Sequence, residues 1–242
     1  MEKKPVMTHR IQPVLMTCTL VAMLLTAAAV QAQEPAPGVR QGGGRGAGRA
    51  GGPQAAAPVP LFFKETWKAG PAAVAATQAV VANPDLTIAV YGKTPNEPEV
   101  NEEGGVPHVW TGLCAPSCAV TLKNRASFVD LSGKARMKWF AKVSGFHEIR
   151  PVVKLADGTW LVGNFADSYT FDYHEVEFHF ADVRWMRLDI ESLTTKGALL
   201  DKVDLSKIDE IGFVDLTPGS GHGLGGYSDV GWMEVYGKPV AR

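Results

Sequence analysis

The densest group of chemically capable side chains in this sequence is Tyr173-His-Glu-Val-Glu-Phe-His-Phe180. Read as a β-strand, it puts Tyr173, Glu175, Glu177 and His179 on one face, because successive side chains alternate. His174, Val176, Phe178 and Phe180 take the other. Two carboxylates, a phenol and an imidazole in one row suit three tasks: bonding sugar hydroxyls, ligating a metal ion, or supplying an acid and a base for glycoside cleavage. Carboxylates two residues apart on a strand lie about 7 Å apart. That spacing fits an inverting pair, a solvated polar face or a binding face alike. A glycosidase pair usually comes from different strands, which weighs toward the two non-catalytic readings.

A second set is scattered along the chain: Trp110, Trp160, His147, Arg136 and Arg150. Aromatic rings stack on the apolar face of a pyranose while Arg, Asp and Glu make paired hydrogen bonds to its hydroxyls. Trp160, just past Asp157-Gly158, is the expected exposed ring, with a buried role as the alternative. Trp139, Trp185 and Trp232 lie inside alternating runs and are expected to fill core. His222, at the tip of the glycine-rich loop Pro218–Gly226, is placed to reach a ligand or to stand idle in solvent. That loop leads into a strand, whereas a dinucleotide-binding turn must open a helix. No nucleophile elbow and no metalloprotease helix is present.

The elements that must position these residues read as strands. Apolar and polar residues alternate in Leu86–Tyr91, Lys134–Lys142, Arg184–Ile190 and Asp229–Tyr236. Shorter β-rich pieces lie at Val106–Thr111, Ala119–Leu122, Ile149–Leu155 and Ile208–Val214. Asp157-Gly158 reads as a hairpin turn, and Ser132-Gly133 separates two strands. The Ala-rich piece Pro71–Val81 is the one helix candidate. Many short strands at this spacing predict an all-β fold, an antiparallel β-sandwich of two packed sheets.

The first residues carry a basic start (Lys3, Lys4, Arg10) and an apolar run from Val14 to Val30, followed by Gln31 and Ala32. This is the order of a cleavable export signal, 1–32, with no membrane span left after cleavage. The next stretch, 33–60, is almost wholly Gly, Ala, Pro and Gln; it lacks the apolar surface to offset its conformational entropy and reads as a disordered tether. The expected location is periplasmic or secreted. In such an oxidising space Cys114 and Cys118 are expected to pair across the turn at Pro116. The 182 residues from Leu61 onward hold 18 Lys and Arg against 23 Asp and Glu, a net charge of −5. That balance argues against a nucleic-acid partner.

A resemblance enters in the last third. Asp204-Leu-Ser-Lys-Ile-Asp-Glu-Ile-Gly-Phe213, followed by Val230-Gly-Trp-Met-Glu-Val-Tyr-Gly237, is similar to the closing strands of galactose-binding-like jelly rolls. These include many carbohydrate-binding modules and relatives of the complex I assembly chaperone, here in an exported, bacterial-type setting. Val129–Gly133 leading into Ala135–Phe140, and Arg184–Asp189, fit the same order. The resemblance implies a jelly roll and a non-catalytic domain for a carbohydrate or another polyhydroxylated ligand, with a protein partner as an alternative. Members that hold calcium often carry an acidic residue where this chain has Gly231. No cofactor is expected, and a structural calcium would have to draw on Glu65, Asp229 and Glu234.

Overall fold

The computed structural model describes residues 57–93, 98–112, 114, 116–217 and 226–242, all within one unit, Ala55–Arg242. The expected export signal, the tether before residue 57, and His222 lie outside them.

Along the chain the strands are β1 (Leu61–Glu65), β2 (Val74–Ala75), β3 (Leu86–Tyr91), β4 (Glu99–Glu103), β5 (Val106–Trp110) and β6 (Cys118–Asn124). Next come β7 (Ser127–Asp130), β8 (Arg136–Val143), β9 (Glu148–Leu155), β10 (Trp160–Gly163), β11 (Asp167–Ser168) and β12 (His174–His179). The last are β13 (Trp185–Asp189), β14 (Thr194–Lys196), β15 (Ile208–Asp215), β16 (Ser228–Tyr236) and β17 (Lys238–Ala241). They form an antiparallel sandwich. One sheet runs β12-β8-β16-β5-β4-β2, with β1 also on β16. The other runs β14-β13-β10-β9-β15-β6-β3, with β11 on β9, β7 on β15 and β17 on β7. All four alternating segments form strands, and Asp157-Gly158 closes the β9–β10 hairpin.

Alternation decides what each face holds. From β8, Met137, Trp139, Ala141 and Val143 point inward with Val230, Met233 and Val235 of β16. They meet Ile149, Val153, Val120, Leu122, Ile211 and Phe213 of the opposing sheet in one core. The burial of these apolar side chains is the main force closing the sandwich.

Two expectations fail. Pro71–Val81 forms no α-helix: Val74 and Ala75 pair with β4, and only Gln78–Val80 makes a 3₁₀ turn. A helix this short is marginal in water, and the Ala76 N–H bonds the Pro98 carbonyl while Val80 and Val81 are buried in the core, so tertiary pairing wins. Nor does a disulfide join Cys114 and Cys118, both buried. Different elements orient them: the Cys114 N–H closes a turn onto Thr111, while Cys118 opens β6 opposite Asp215.

Candidate functional site

The outer face of the smaller sheet gathers most of the candidate residues. From β8, Arg136, Lys138, Phe140 and Lys142 point outward, opposite the inward set. The neighbouring strand β12 sets Glu175 opposite Phe140, Glu177 opposite Lys138 and His179 opposite Arg136. On the other side β16 sets Trp232, Glu234 and Tyr236 opposite the same three residues of β8.

Three rings cross this face. Phe140 lies 5.8 Å from Trp232, with planes 8° apart, and 5.2 Å from Tyr173, at 20°. All three are half-buried. They are offset-stacked against one another, so their outward parts form an apolar strip one ring wide. Lys64 sits 4.9 Å from the far face of Trp232. A register shift between Val230 and Trp232 turns the tryptophan outward while Val230 and Met233 both stay in the core. A Cβ on Gly231 would stand 3.0 Å from Val106 and 3.3 Å from the Phe140 ring. Glycine there lets the β5 strand end close against the strip.

Ion pairs border the strip. Lys138 Nζ bonds Glu175 at 2.9 Å and lies 3.3 Å from Glu177, which also accepts from Arg136 at 3.3 Å. Arg136 further covers the Tyr236 ring at 3.8 Å. Lys64 pairs with Glu234 at 2.8 Å. Glu175 and Glu177 are thus held side by side by one lysine.

Near the end of the strip is a cleft of about 560 Å³, floored by Phe140, Lys142 and Tyr173. One wall is the β4–β5 tip, where Gly104 and Gly105 take φ of 60° and 84° to make a tight turn. The other is Phe171, 92% exposed. Lys142 is buried here between Glu103, with which it pairs, and Asp229, 3.6 Å away. Burial opposes the charge of Lys142, but its bond to Glu103 and the charge of Asp229 outweigh this and raise its pKa. Burial pushes Asp229 up to about 7, with Lys142 partly offsetting it. Tyr173 is pushed up by burial and by the Asp229 charge, and His108 is pushed down by burial. Tyr173 Oη and Asp229 Oδ1 are both buried without a hydrogen-bond partner among the described residues, and Oδ1 lies 3.6 Å from His108 Nε2.

Of the sequence candidates, Tyr173, Glu175, Glu177, His179 and Arg136 share this face. Trp160 and Arg150 do not. Trp160 is buried on the outside of the larger sheet, edge-on to Tyr91 at 4.9 Å and covered by Leu188 and Leu193. Arg150, on β9 of that sheet, is tied to Glu148 at 2.8 Å. His147 is buried against Asp215 at 2.6 Å, and the same carboxylate oxygen takes the Ser228 hydroxyl at 3.0 Å. The serine therefore addresses the acid rather than the imidazole, and it is fully buried, so this trio is no nucleophilic triad.

The calcium candidates do not converge. Glu65 is fully buried and accepts backbone N–H bonds from Thr66, Trp67, Ala82 and Asn83 at 2.7–3.2 Å. Glu234 is taken by Lys64 and Tyr236, and Asp229 lies beside Lys142. Among the described residues no group of three or more His, Cys, Asp or Glu side chains is set to hold a metal ion, and no helix is long and apolar enough to cross a membrane. Sequence reading missed Phe140, hidden beside the obvious core residue Trp139, and Trp232, whose strand pattern the bulge inverts. Gly231 inside an otherwise alternating run was the signal available for the bulge.

No protein-family profile and no curated protein matches this chain. Among solved structures it is similar to the family 11 carbohydrate-binding module of cellulosomal cellulase Lic26A-Cel5E of Clostridium thermocellum. The TM-score is 0.45 at 10% identity, over 75% of this chain and 97% of that one. A mutant of CBM29-2, a family 29 carbohydrate-binding module, aligns with a TM-score of 0.42 at 12% identity, over 72% and 91%. The agarase AgWH50C aligns at 0.39 and 9%, over 70% of this chain and 25% of the agarase. Similarity at this level says nothing of what this chain binds.

Proposed function

We propose that this is an exported, non-catalytic domain that binds a neutral glycan on the outer face of the smaller sheet. The observation that carries the reading is the strip Tyr173, Phe140 and Trp232 flanked by carboxylates and cations on the adjoining strands. A pyranose presents apolar C–H faces and a rim of hydroxyls, and a strip of rings edged by charged hydrogen-bonding groups complements both. Charge selects the class of sugar. Lys64, Arg136, Lys138 and Lys142 are each already paired with a carboxylate. A sulfated or uronate polymer would have to break those pairs on a face with more acids than bases.

Glycoside cleavage is disfavoured by the same geometry. Glu175 and Glu177 stand on one strand and share Lys138, whereas a hydrolytic pair must flank the scissile bond from two sides.

Calorimetry of the secreted protein against soluble neutral glucans, mannans, xylans and galactans, with pull-down on insoluble ones, tests the reading. Saturable binding that Trp232→Ala weakens at least tenfold is the expected result. Absence of binding to every glycan in the panel rejects it. Export is checked separately: the mature chain should begin at Gln33, after cleavage behind Ala32, by intact mass.

One observation favours a second reading. Phe146 and Phe171 are 93% and 92% exposed and Tyr169 is exposed as well, and the Thr170 N–H bonds Val143 three residues before Phe146. Apolar rings so close together suit a protein surface. A Phe146→Ser, Tyr169→Ser variant that keeps full glycan affinity but loses a co-purifying protein would assign that role to this end.

A further inference from the structure

Two buried groups beside the strip are one proton short. Asp229, on β16, is 2% exposed, and His108, on β5, is 3% exposed. His108 Nδ1 lies 2.9 Å from the Val106 carbonyl oxygen. A carbonyl only accepts, so Nδ1 carries the ring proton, and the neutral imidazole turns a lone pair outward at Nε2. That nitrogen stands 3.6 Å from Asp229 Oδ1, an oxygen that accepts no hydrogen bond among the described residues. Two acceptors thus face each other in the interior. One added proton answers both, as a carboxylic acid donating to Nε2 or as an imidazolium donating to Oδ1, and draws the pair into hydrogen-bond range.

The titratable neighbours of the pair come from four sides. β8 brings Lys142, whose Nζ is 3.6 Å from Asp229 Oδ2, and β4 brings Glu103, the other partner of Lys142. Tyr173, ahead of β12, packs its ring 5.9 Å from that of His108 at 57°, and its hydroxyl is buried without a hydrogen-bond partner. The Tyr227 ring, ahead of β16, lies 5.5 Å from Lys142 Nζ. Burial raises Asp229 against the pull of Lys142 and depresses His108, which puts the shared proton on or off in the neutral range.

We infer that His108 and Asp229 bind one proton between them and through it position Tyr173, so that the strip takes its tight-binding arrangement only when the proton has left. Tyr173 is the link because its ring stacks on Phe140 in the strip while its hydroxyl feels the Asp229 charge. With the pair unprotonated, Asp229 is a full carboxylate, and a charged acceptor holds a hydroxyl about twice as strongly as a neutral one. Once the proton is bound, Oδ1 is engaged with His108 and the tyrosine loses that hold. Lys142 is then left to Glu103, on the β4–β5 tip that walls the cleft. Acid therefore favours the fold and weakens the site, and by reciprocity a bound glycan expels the proton. The consequence for affinity rests on the glycan reading; the proton site does not.

The two statements are tested in turn. The secreted chain without ligand is titrated from about pH 5 to 9 while ¹H–¹³C spectra follow the ring signals of His108 and Tyr173, which identify each other by their mutual contact. The expected result is one shared step near pH 7, gone from the neutral range in Asp229→Asn. Separate steps for the two rings, or a step that survives Asp229→Asn, overturn the proton site. Calorimetry then uses hexasaccharides of glucan, mannan, xylan and galactan at about pH 5.5 and 8.5. Wild-type affinity should be at least about fivefold higher at the alkaline end, with up to about one proton released near pH 7 in buffers of differing ionisation enthalpy. Asp229→Asn should keep the weaker affinity throughout, and Tyr173→Phe, which keeps the ring, should lose the pH dependence. An affinity that ignores pH in the wild type overturns the coupling. So does a dependence that persists in Asp229→Asn, which would belong to another group such as the exposed His179. Absence of binding by every hexasaccharide at both pH values rejects the glycan reading and the coupling with it, and the ring titration alone then decides the proton site.

Discussion

The two outer faces of the sandwich each present a tryptophan flanked by aromatic and charged residues, yet only one is open. On the smaller sheet Trp232 stands beside Phe140, half-buried, with Lys64 4.9 Å from its ring. On the larger sheet Trp160 has a lysine, Lys154, at 5.4 Å and Tyr91 edge-on, much the same company. What differs is a loop. After β13, Asp189 Oδ1 accepts the N–H groups of Glu191 and Ser192, and Leu193, at φ 50°, is turned back into a buried position in the Trp160 cluster. Among the described residues the smaller sheet has no such plug over its rings. Strand chemistry supplies a surface; a connection several residues long decides whether it meets ligand.

The buried acids repeat the contrast. On the closed face Glu210 receives the Tyr91 hydroxyl at 2.9 Å, the Thr121 hydroxyl at 2.8 Å and Lys154 at 2.9 Å. On the open face Asp229 is as buried, but its Oδ1 accepts no hydrogen bond, and its nearest cationic groups, His108 Nε2 and Lys142 Nζ, stand 3.6 Å off. One carboxylate completes a network; the other is held at a cost in stability, beside a cleft.

The sharpest way to break the comparison is to exchange the roles of the two tryptophans. Trp160→Ala should lower unfolding free energy by about 3–5 kcal/mol, the usual cost of emptying a buried aromatic site, while leaving glycan affinity within a factor of two. Trp232→Ala should do the reverse: at least a tenfold loss of affinity, with stability lowered by less than about 1.5 kcal/mol because the ring is only half-buried. Urea melts and calorimetry on both variants decide. If Trp160→Ala also abolishes binding, the closed face is part of the site.

The acids sharpen it further. Glu210→Gln leaves an amide donor among three donors and should cost about 2 kcal/mol at pH 7. Asp229→Asn should do the opposite as pH rises. The folded-state pKa of Asp229 is raised from 3.8 to about 7, so the native state holds this proton more tightly than the unfolded chain does. The wild type is therefore favoured below about pH 4 and loses stability as pH climbs to 7, at about 1.4 kcal/mol for each tenfold in proton affinity. Asp229→Asn removes that slope. Urea midpoints of both proteins from pH 4 to 8 should diverge in favour of the variant; parallel curves would show that Asp229 ionises as it does in the unfolded chain.

These contrasts mark how far sequence could reach. Strict alternation made β3, β8, β13 and β16 legible, and the period of two placed Glu175, Glu177 and His179 on one face. Local rules stop where the cause is distant or irregular. Trp232 was assigned inward because the pattern was carried straight through Gly231, where the backbone inserts a residue. Sequence leaves Trp160 open between an exposed and a buried role because nothing near it shows that Leu193, more than thirty positions later, joins it in one buried cluster. Glu65 resembled a metal ligand because its four partners are backbone N–H groups, invisible to any count of side chains. The Ala-rich piece read as helix from composition, but Val80 and Val81 were needed in the core.

The smallest expected effect is also the one that separates binding from chemistry. Glu177 is exposed, and its partners Arg136 and Lys138 each keep a second contact, Arg136 with the Tyr236 ring and Lys138 with Glu175. Removing its charge leaves no buried group unpaired, so Glu177→Gln should move the melting temperature by about 2 °C or less. Its effect on affinity should be similarly modest, about two- to fivefold, since an amide still accepts a hydroxyl proton and the strip is untouched. Were Glu177 instead an acid or base of a glycosidase, the same change would erase turnover by several orders of magnitude while leaving affinity alone. Measuring both quantities on one variant sorts the two roles: a modest affinity loss without any turnover to lose is the mark of a side chain that only holds a hydroxyl in place.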